Sequence, residues 1–236
     1  MKTTQSSVTT PQCIYQDDDL LLINKPSGLL SIPDGYDSSL PHLKIVLEPV
    51  YGKLWVVHRL DKETSGIMLL ARNAGAHRSL NASFRERKIK KTYHSLVTPV
   101  PNWREIHIKQ PLRPDADRKH RTRVDDEKGK KAETIFKVMK RSALGALLEI
   151  KILTGITHQI RAHLRSLDLI HLGESLYNAG IPSPPVSVQR LMLHARFLGF
   201  DHPSDGNWMS FAAPYPDDFR AAYTELLITT TRDVLI

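Results

Sequence analysis

Asp61 stands in His58-Arg59-Leu60-Asp61-Lys62-Glu63-Thr64-Ser65-Gly66, a charged and hydroxyl-bearing run placed directly before the apolar stretch Ile67-Met68-Leu69-Leu70. The apolar stretch has the length of a buried strand. Charged groups beside a buried strand cost free energy unless each finds a partner, so this composition exceeds what a simple turn needs. As a carboxylate, Asp61 can be nucleophile, general base or metal ligand; the structural alternative is a turn Asp capping a backbone amide. Arg59 lies two residues earlier. In an extended loop its side chain projects to the same side as that of Asp61. A guanidinium there can contact phosphate or fill the space left by an extruded base. Its alternative is a surface pair with Glu63, of little energetic value.

A second segment, Thr154-Gly155-Ile156-Thr157-His158-Gln159-Ile160-Arg161-Ala162-His163-Leu164, carries further chemistry-bearing residues. His158 and His163 are five residues apart, about 140° around a helix, whereas a metal pair on one face wants a four-residue spacing. We expect packing or hydrogen-bonding roles for both, and no metal. Arg161 and Arg165 fit a solvated helix face, Arg165 more readily than Arg161. Tyr93 follows the dense cations Arg85, Arg87, Lys88, Lys90 and Lys91; on its own it reads as an ordinary half-buried strand Tyr. Residues 113 to 131 add eight more Lys and Arg but mix in Asp115, Asp117, Asp125, Asp126 and Glu127, so this stretch is a less clear phosphate patch.

The run at 58–66 closely matches the HRLDxxTSG signature of the RluA-type pseudouridine synthases, and the segment at 154–164 resembles their TGRxHQIRxHL, with Ile156 where Arg is usual. Asn24 to Ser31 resembles NKPxGLLv. Gly173-Glu174-Ser175-Leu176-Tyr177 resembles GDxxYG, with Glu for Asp and Asn178 for Gly. Arg190 to Ala195 and Phe211 to Pro214 complete a likeness running from about Leu20 to Phe219. The resemblance implies that Asp61 is catalytic and that Arg161 is the buried Arg paired with it. It implies that Tyr93 stacks on the target base and is a candidate for proton handling at C5, and that Arg59 intrudes into the RNA. The Asn24–Ser31 element is implied to be mainly structural. The implied reaction flips a uridine from structured RNA, breaks N1–C1′ and joins C5 to C1′; an isomerisation needs no cofactor, metal or energy source. Arg85, Arg87, Lys88, Lys90 and Lys91 become the expected RNA grip, and the 99–131 excursion a clamp. The lack of a separate S4 domain suggests a compact member acting on 23S ribosomal RNA, tRNA or both. The alternatives are a noncatalytic RNA-binding or ribosome-assembly protein on the same fold and a metal-dependent nuclease. The nuclease would want clustered carboxylates, and the signature loop offers only Asp61 and Glu63.

Elements must hold these groups in place. Leu20–Asn24, Leu54–Val57, Ile67–Ala71, Thr92–Val97, Thr134–Met139 and Leu147–Leu153 read as strands, the last with Leu148, Ile150 and Ile152 alternating against Glu149 and Lys151. Residues 73 to 87, with Ala76, Leu80 and Phe84 at four-residue spacing, read as a helix. So do Thr157–Leu167 and Asp218–Leu227. Leu191–Phe200 and Trp208–Phe211 can pair across Ser204-Asp205-Gly206-Asn207. Strands without strict βαβ alternation predict an α+β fold with a mixed, mostly antiparallel sheet. Apolar walls near Ile67 and Leu164 are expected around the site. We expect one catalytic domain over 13–236 and a disordered lead-in over 1–12.

The 236 residues include 33 Lys and Arg against 25 Asp and Glu, a formal charge of +8, which favours an anionic partner such as RNA. The single Cys13 leaves no disulfide framework or multi-Cys zinc site. Apolar runs fall far short of the roughly 20 residues that span a bilayer, and the polar start is unlike a signal peptide. A cytoplasmic monomer is the default expectation. The phosphate-binding patterns GxxxxGK[ST] and GxGxxG and the hydrolase nucleophile elbow GxSxG are absent from the chain.

Overall fold

The computed structural model describes residues 10–228. Residues 1–9 of the expected lead-in lie outside the described residues, and Gln12, also assigned to it, opens the first strand. In chain order the elements are β1 (Gln12–Gln16), β2 (Leu20–Lys25), α1 (Leu43–Tyr51), β3 (Trp55–Val56), β4 (Ser65–Ala71), α2 (Ala74–Arg85) and β5 (Lys90–Thr98). There follow β6 (Glu105–Ile108), β7 (Leu112–Arg113), β8 (Arg123–Val124), β9 (Thr134–Arg141), β10 (Ala146–Ile152) and α3 (Gln159–Ser166). The last are β11 (Ile170–His171), β12 (Leu193–Asp201), β13 (Trp208–Ala212) and α4 (Asp217–Leu227).

One sheet runs β1-β2-β4-β12-β5-β10-β9-β6, with β3, β11 and β13 attached to β4, β5 and β12; β7 and β8 form a separate ribbon. Among the described strands, β4 pairs with β12 in parallel and the other named pairs are antiparallel. This is an α+β fold with a mixed, mostly antiparallel sheet. Continuous burial explains the centre. Leu20–Ile23 and Ile67–Leu70 are essentially inaccessible, as expected for strands covered on both faces, which read as apolar runs rather than alternation. Helix α2 starts where the Asn73 side chain accepts from the Ala76 N–H at 2.9 Å, an N-cap of the kind that stabilises by about 1 kcal/mol. Its buried Ala76 and Leu80 face the core. Helix α4 buries Phe219, Ala222 and Leu226 in a second cluster with Leu96, Leu147 and Met192.

The 99–131 excursion is only partly outside the core. Its β6 joins the main sheet beside β9, while the β7–β8 ribbon hangs from a small cluster of Leu112, Val124, Ala132, Ile156, Leu176 and Tyr177. No element was expected over 43–51, where α1 forms with Pro49 inside it. Pro49 sits in the last turn, and burial of Leu43 and Leu47 on one face holds the helix nonetheless.

Candidate active site

The parallel pairing of β4 with β12 sets the site. Gly66 lies opposite Ala195, and Ala195 lies opposite Tyr93 on β5. The loop ending at Gly66 and the Tyr93 ring therefore share one level of the sheet. Gly66 has φ +118, and a Cβ there would stand 2.2 Å from the Ala195 carbonyl oxygen. The signature glycine is what lets β12 approach this closely.

The loop backbone is gripped by residues 25–31. Ser31 Oγ donates to the Leu60 carbonyl at 2.7 Å and accepts from the Leu60 N–H at 3.0 Å. Ser27 Oγ donates to the Glu63 carbonyl, and the Gly28 N–H to that of Lys62. Lys25 has no exposed surface, and its Nζ donates to the carbonyls of Pro26, Leu29 and Lys62 at 2.9, 2.8 and 3.2 Å. Burial lowers the Lys25 pKa to about 7, while Asp61 and Glu63 pull it back up. Sequence reasoning gave this element no catalytic role. The structure makes it the cradle of the Asp61 loop. At the loop's entry, the Leu69 N–H donates to His58 Nε2 at 2.9 Å, and the ring stacks on Phe84. Dehydration drives the His58 pKa to about 3, so this neutral imidazole is a fastener.

Asp61 opens into a cleft of about 1070 Å³. All nine expected site residues line it: Asp61, Tyr93, Arg161, Arg59, Arg85, Arg87, Lys88, Lys90 and Lys91. Lys131 and Lys151 also line it. Arg59, Arg85, Arg87, Lys88 and Lys90 are exposed. Lys88 pairs with Glu86 at 2.8 Å and Lys90 lies over the Trp208 ring. Lys91 is half-buried, and desolvation lowers its pKa. Tyr93 is 8% exposed. Burial first, and then the negative charge of Asp61, raises its pKa. The phenol is therefore held protonated, a poor free base but a good ring to stack on and a hydrogen-bond donor.

The expected Arg161–Asp61 ion pair is not the one that forms. Arg161 Nε and Nη2 donate to Glu174 at 2.7 and 2.6 Å, a bidentate pair. Arg161 is 4% exposed and Glu174 6%. Asp61 acts on Arg161 only as a nearby charge, and Glu63 stands 3.9 Å from Nη1. The reason is geometric: Glu174 also accepts from the Leu176 and Tyr177 N–H groups, so its carboxylate is fixed beside the guanidinium before Asp61 can compete. Burial alone would raise the Glu174 pKa, but the Arg161 bonds outweigh it and the net shift is downward. Sequence reasoning noted Glu174 only as a departure from GDxxYG. The carboxylate nearest in sequence to the signature drew attention, and a partner 13 residues beyond Arg161 carries no local signal.

The α3 segment is held by its own network. Gln159 Oε1 accepts from Thr154 Oγ1 and the Ile156 N–H, and its Nε2 donates to the Glu133 carbonyl and Thr134 Oγ1. His163 lies 2.8 Å from Thr134 Oγ1 and 3.0 Å from the Gln110 carbonyl. Ile156 packs into the ribbon's apolar cluster. In the ribbon, Arg113 pairs with Asp125, and Arg121 and Arg123 with Asp117, so three of its cations are spent internally. The apolar walls differ from expectation. Ile67 and Leu164 sit in the core, and Leu60, Ile160 and Leu193 line the cleft instead.

Comparison with known proteins agrees with this architecture. Residues 19–166 match the family described as RNA pseudouridylate synthase. The chain is 37% identical over 202 residues to the dual-specificity RNA pseudouridine synthase RluA of Escherichia coli (strain K12), covering 85% of this chain and 91% of that one. It is 32% identical over 235 residues to ribosomal large subunit pseudouridine synthase D of Zymomonas mobilis, covering 92% and 73%. The structure of human RNA pseudouridylate synthase domain containing 4 superposes with a TM-score of 0.75 at 26% identity, covering 91% and 92%. With the signature loop, the sheet and the cleft already in place, these matches are decisive: the chain belongs to the RluA-type pseudouridine synthases, enzymes that isomerise uridine in RNA.

Proposed function

We propose that Asp61 starts the glycosidic exchange on a uridine flipped out of structured ribosomal RNA or tRNA. The observation that carries this is the convergence of Asp61 and a protonated, buried Tyr93 in one cleft bordered by cations. Flipping costs a few kcal/mol. Stacking on Tyr93, intrusion of Arg59, and phosphate contacts from Arg85, Arg87, Lys88, Lys90 and Lys91 offset it. Asp61 then promotes scission of N1–C1′. The uracil turns, C5 bonds to C1′, and the C5 proton leaves as N1 gains one, so the atoms balance without any co-reactant. Arg161 contributes at one remove: locked to Glu174, it presents a fixed positive charge to the cleft beside Asp61. Leu60, Ile160 and Leu193 reduce water in the cleft.

One relative is named for dual specificity and another for the ribosomal large subunit, which supports ribosomal RNA as a substrate and leaves room for a second RNA class. No observation favours the noncatalytic alternative. The test is tritium release from uridine labelled at C5, with 23S ribosomal RNA and tRNA transcripts assayed separately. Release from at least one class is expected. No release and no pseudouridine in either would contradict the substrate proposal.

A further inference from the structure

His158 is the cleft residue that the reading above leaves without a task. It precedes α3 with φ 54 and ψ 21, a left-handed conformation, uncommon for a non-glycine residue and a sign that the surroundings hold it there. Its ring lies between two groups. Nε2 faces Asp61 Oδ2 at 3.9 Å. On the other side, Nδ1 is 3.2 Å from the Tyr177 hydroxyl.

A third partner bears on the direction of that second bond. The Thr122 N–H donates to the Tyr177 oxygen at 2.8 Å. Burial pushes the Tyr177 pKa up to about 12, so the phenol keeps its proton. That proton needs an acceptor, and His158 Nδ1 stands within reach to take it, the arrangement in which Tyr177 accepts from Thr122 and donates to His158. A neutral imidazole accepting at Nδ1 carries its hydrogen on Nε2. Dehydration lowers the His158 pKa despite the opposing charges of Asp61, Glu63 and Glu174, and Arg161 lowers it further. The ring therefore presents a neutral N–H to the Asp61 carboxylate. The gap of 3.9 Å exceeds a hydrogen bond, so the contact has to shorten when RNA enters the cleft.

We propose that His158 is a positioning residue for Asp61: its Nε2–H, oriented through the chain Thr122–Tyr177–His158, holds the carboxylate at the angle the reaction needs once RNA fills the cleft. The chain begins in the ribbon excursion, because Thr122 precedes β8 and its Oγ1 donates to the Thr157 carbonyl at 2.7 Å. The 113–131 segment thus reaches the reaction centre through a hydrogen-bonded relay as well as through any contact with RNA. This inference rests on the reading of Asp61 as the catalytic carboxylate.

The test compares full-length wild type, His158→Ala, His158→Gln and Tyr177→Phe on an RNA that the wild type converts. Single-turnover rate, RNA Kd and Tm are measured for each, and the His158 tautomer is read by 15N NMR in the free protein. Loss of one hydrogen bond to a charged group corresponds to a rate loss of about 10–100-fold. We expect that loss in His158→Ala, with RNA Kd and Tm close to wild type. His158→Gln, whose amide nitrogen can reach the former Nε2 position, should recover most of it. The wild type should show the Nε2–H tautomer and Tyr177→Phe a mixture. An unchanged rate in His158→Ala, a rate loss matched by weakened binding or stability, or an Nδ1–H tautomer in the wild type overturns the proposal. A wild type that converts no RNA contradicts the enzyme reading instead, and the tautomer measurement still decides the relay.

Discussion

Replacing Arg161 with Met removes the cation but leaves Glu174 buried. The two side chains are 4% and 6% exposed and share two bonds of 2.6 and 2.7 Å. Breaking a buried pair from one side costs about 3–5 kcal/mol, because the remaining charge is dehydrated without compensation. A domain has about 5–15 kcal/mol of stability in total, so Arg161→Met should be folded but severely weakened. Arg161→Met with Glu174→Gln removes the stranded charge, while the Gln oxygen can still accept from Leu176 and Tyr177. The double variant should regain roughly 2 kcal/mol or more, a non-additivity diagnostic of the pair. The sign of the pH dependence follows. In the wild type the Glu174 pKa lies below its usual value, so the pair's stabilisation is complete above about pH 4.5 and is lost as pH falls through the folded pKa. Without Arg161, burial dominates and holds that pKa above the unfolded value, so the variant should gain stability as pH drops from 7 towards 5 while the wild type stays nearly flat. Urea unfolding followed by Trp fluorescence at pH 5, 6 and 7 measures this. A loss below about 1 kcal/mol, or one independent of pH, would refute the placement of Arg161 on Glu174.

Other outcomes follow from the same geometry. Gly66→Ala, with its Cβ 2.2 Å from a β12 carbonyl oxygen, should destabilise by about 4 kcal/mol or more, read as a collapse in Tm; near wild-type Tm would show that β12 can retreat. Lys25→Met should release the Lys62 carbonyl and lower turnover more than RNA affinity, measured by single-turnover kinetics. Because burial holds the folded Lys25 pKa at about 7, below the unfolded value, the penalty of burying its charge is full below pH 7. It is relieved as pH rises towards 10.5, so wild-type stability relative to Lys25→Met should climb by up to about 1.4 kcal/mol per unit in that window. Ile156→Ala should cost about 1 kcal/mol, modest because the residue is half-buried, and should speed hydrogen exchange in residues 112–124; unchanged exchange would mean that the ribbon does not depend on that apolar anchor.

Much of this molecule was legible along the chain because its signals are local. The apolar run after Gly66 reads as a buried strand, and the four-residue spacing of Ala76, Leu80 and Phe84 marks one helix face turned to a core. The charged loop before a buried strand marked the site. Contacts between distant segments were not legible. Nothing near Arg161 points to Glu174 as its partner, and nothing near Lys25 shows its ammonium under the Asp61 loop. Helix α1 was not expected: it carries Pro49, which costs an i→i−4 hydrogen bond, and its stability comes from burial of Leu43 and Leu47, which only the tertiary fold supplies. The β4–β12 parallel pairing joins residues about 130 apart, and only the tertiary fold explains why Ser-Gly follows Thr64.

The central claim is that Asp61 performs the chemistry in a cleft that binds RNA without it. The most direct measurement is pseudouridine formation by wild type and by Asp61→Asn on the same RNA, with Kd and Tm determined for both. The account predicts conversion by the wild type, none by Asp61→Asn, and closely similar binding and stability. Conversion by Asp61→Asn at a rate near that of the wild type would contradict it.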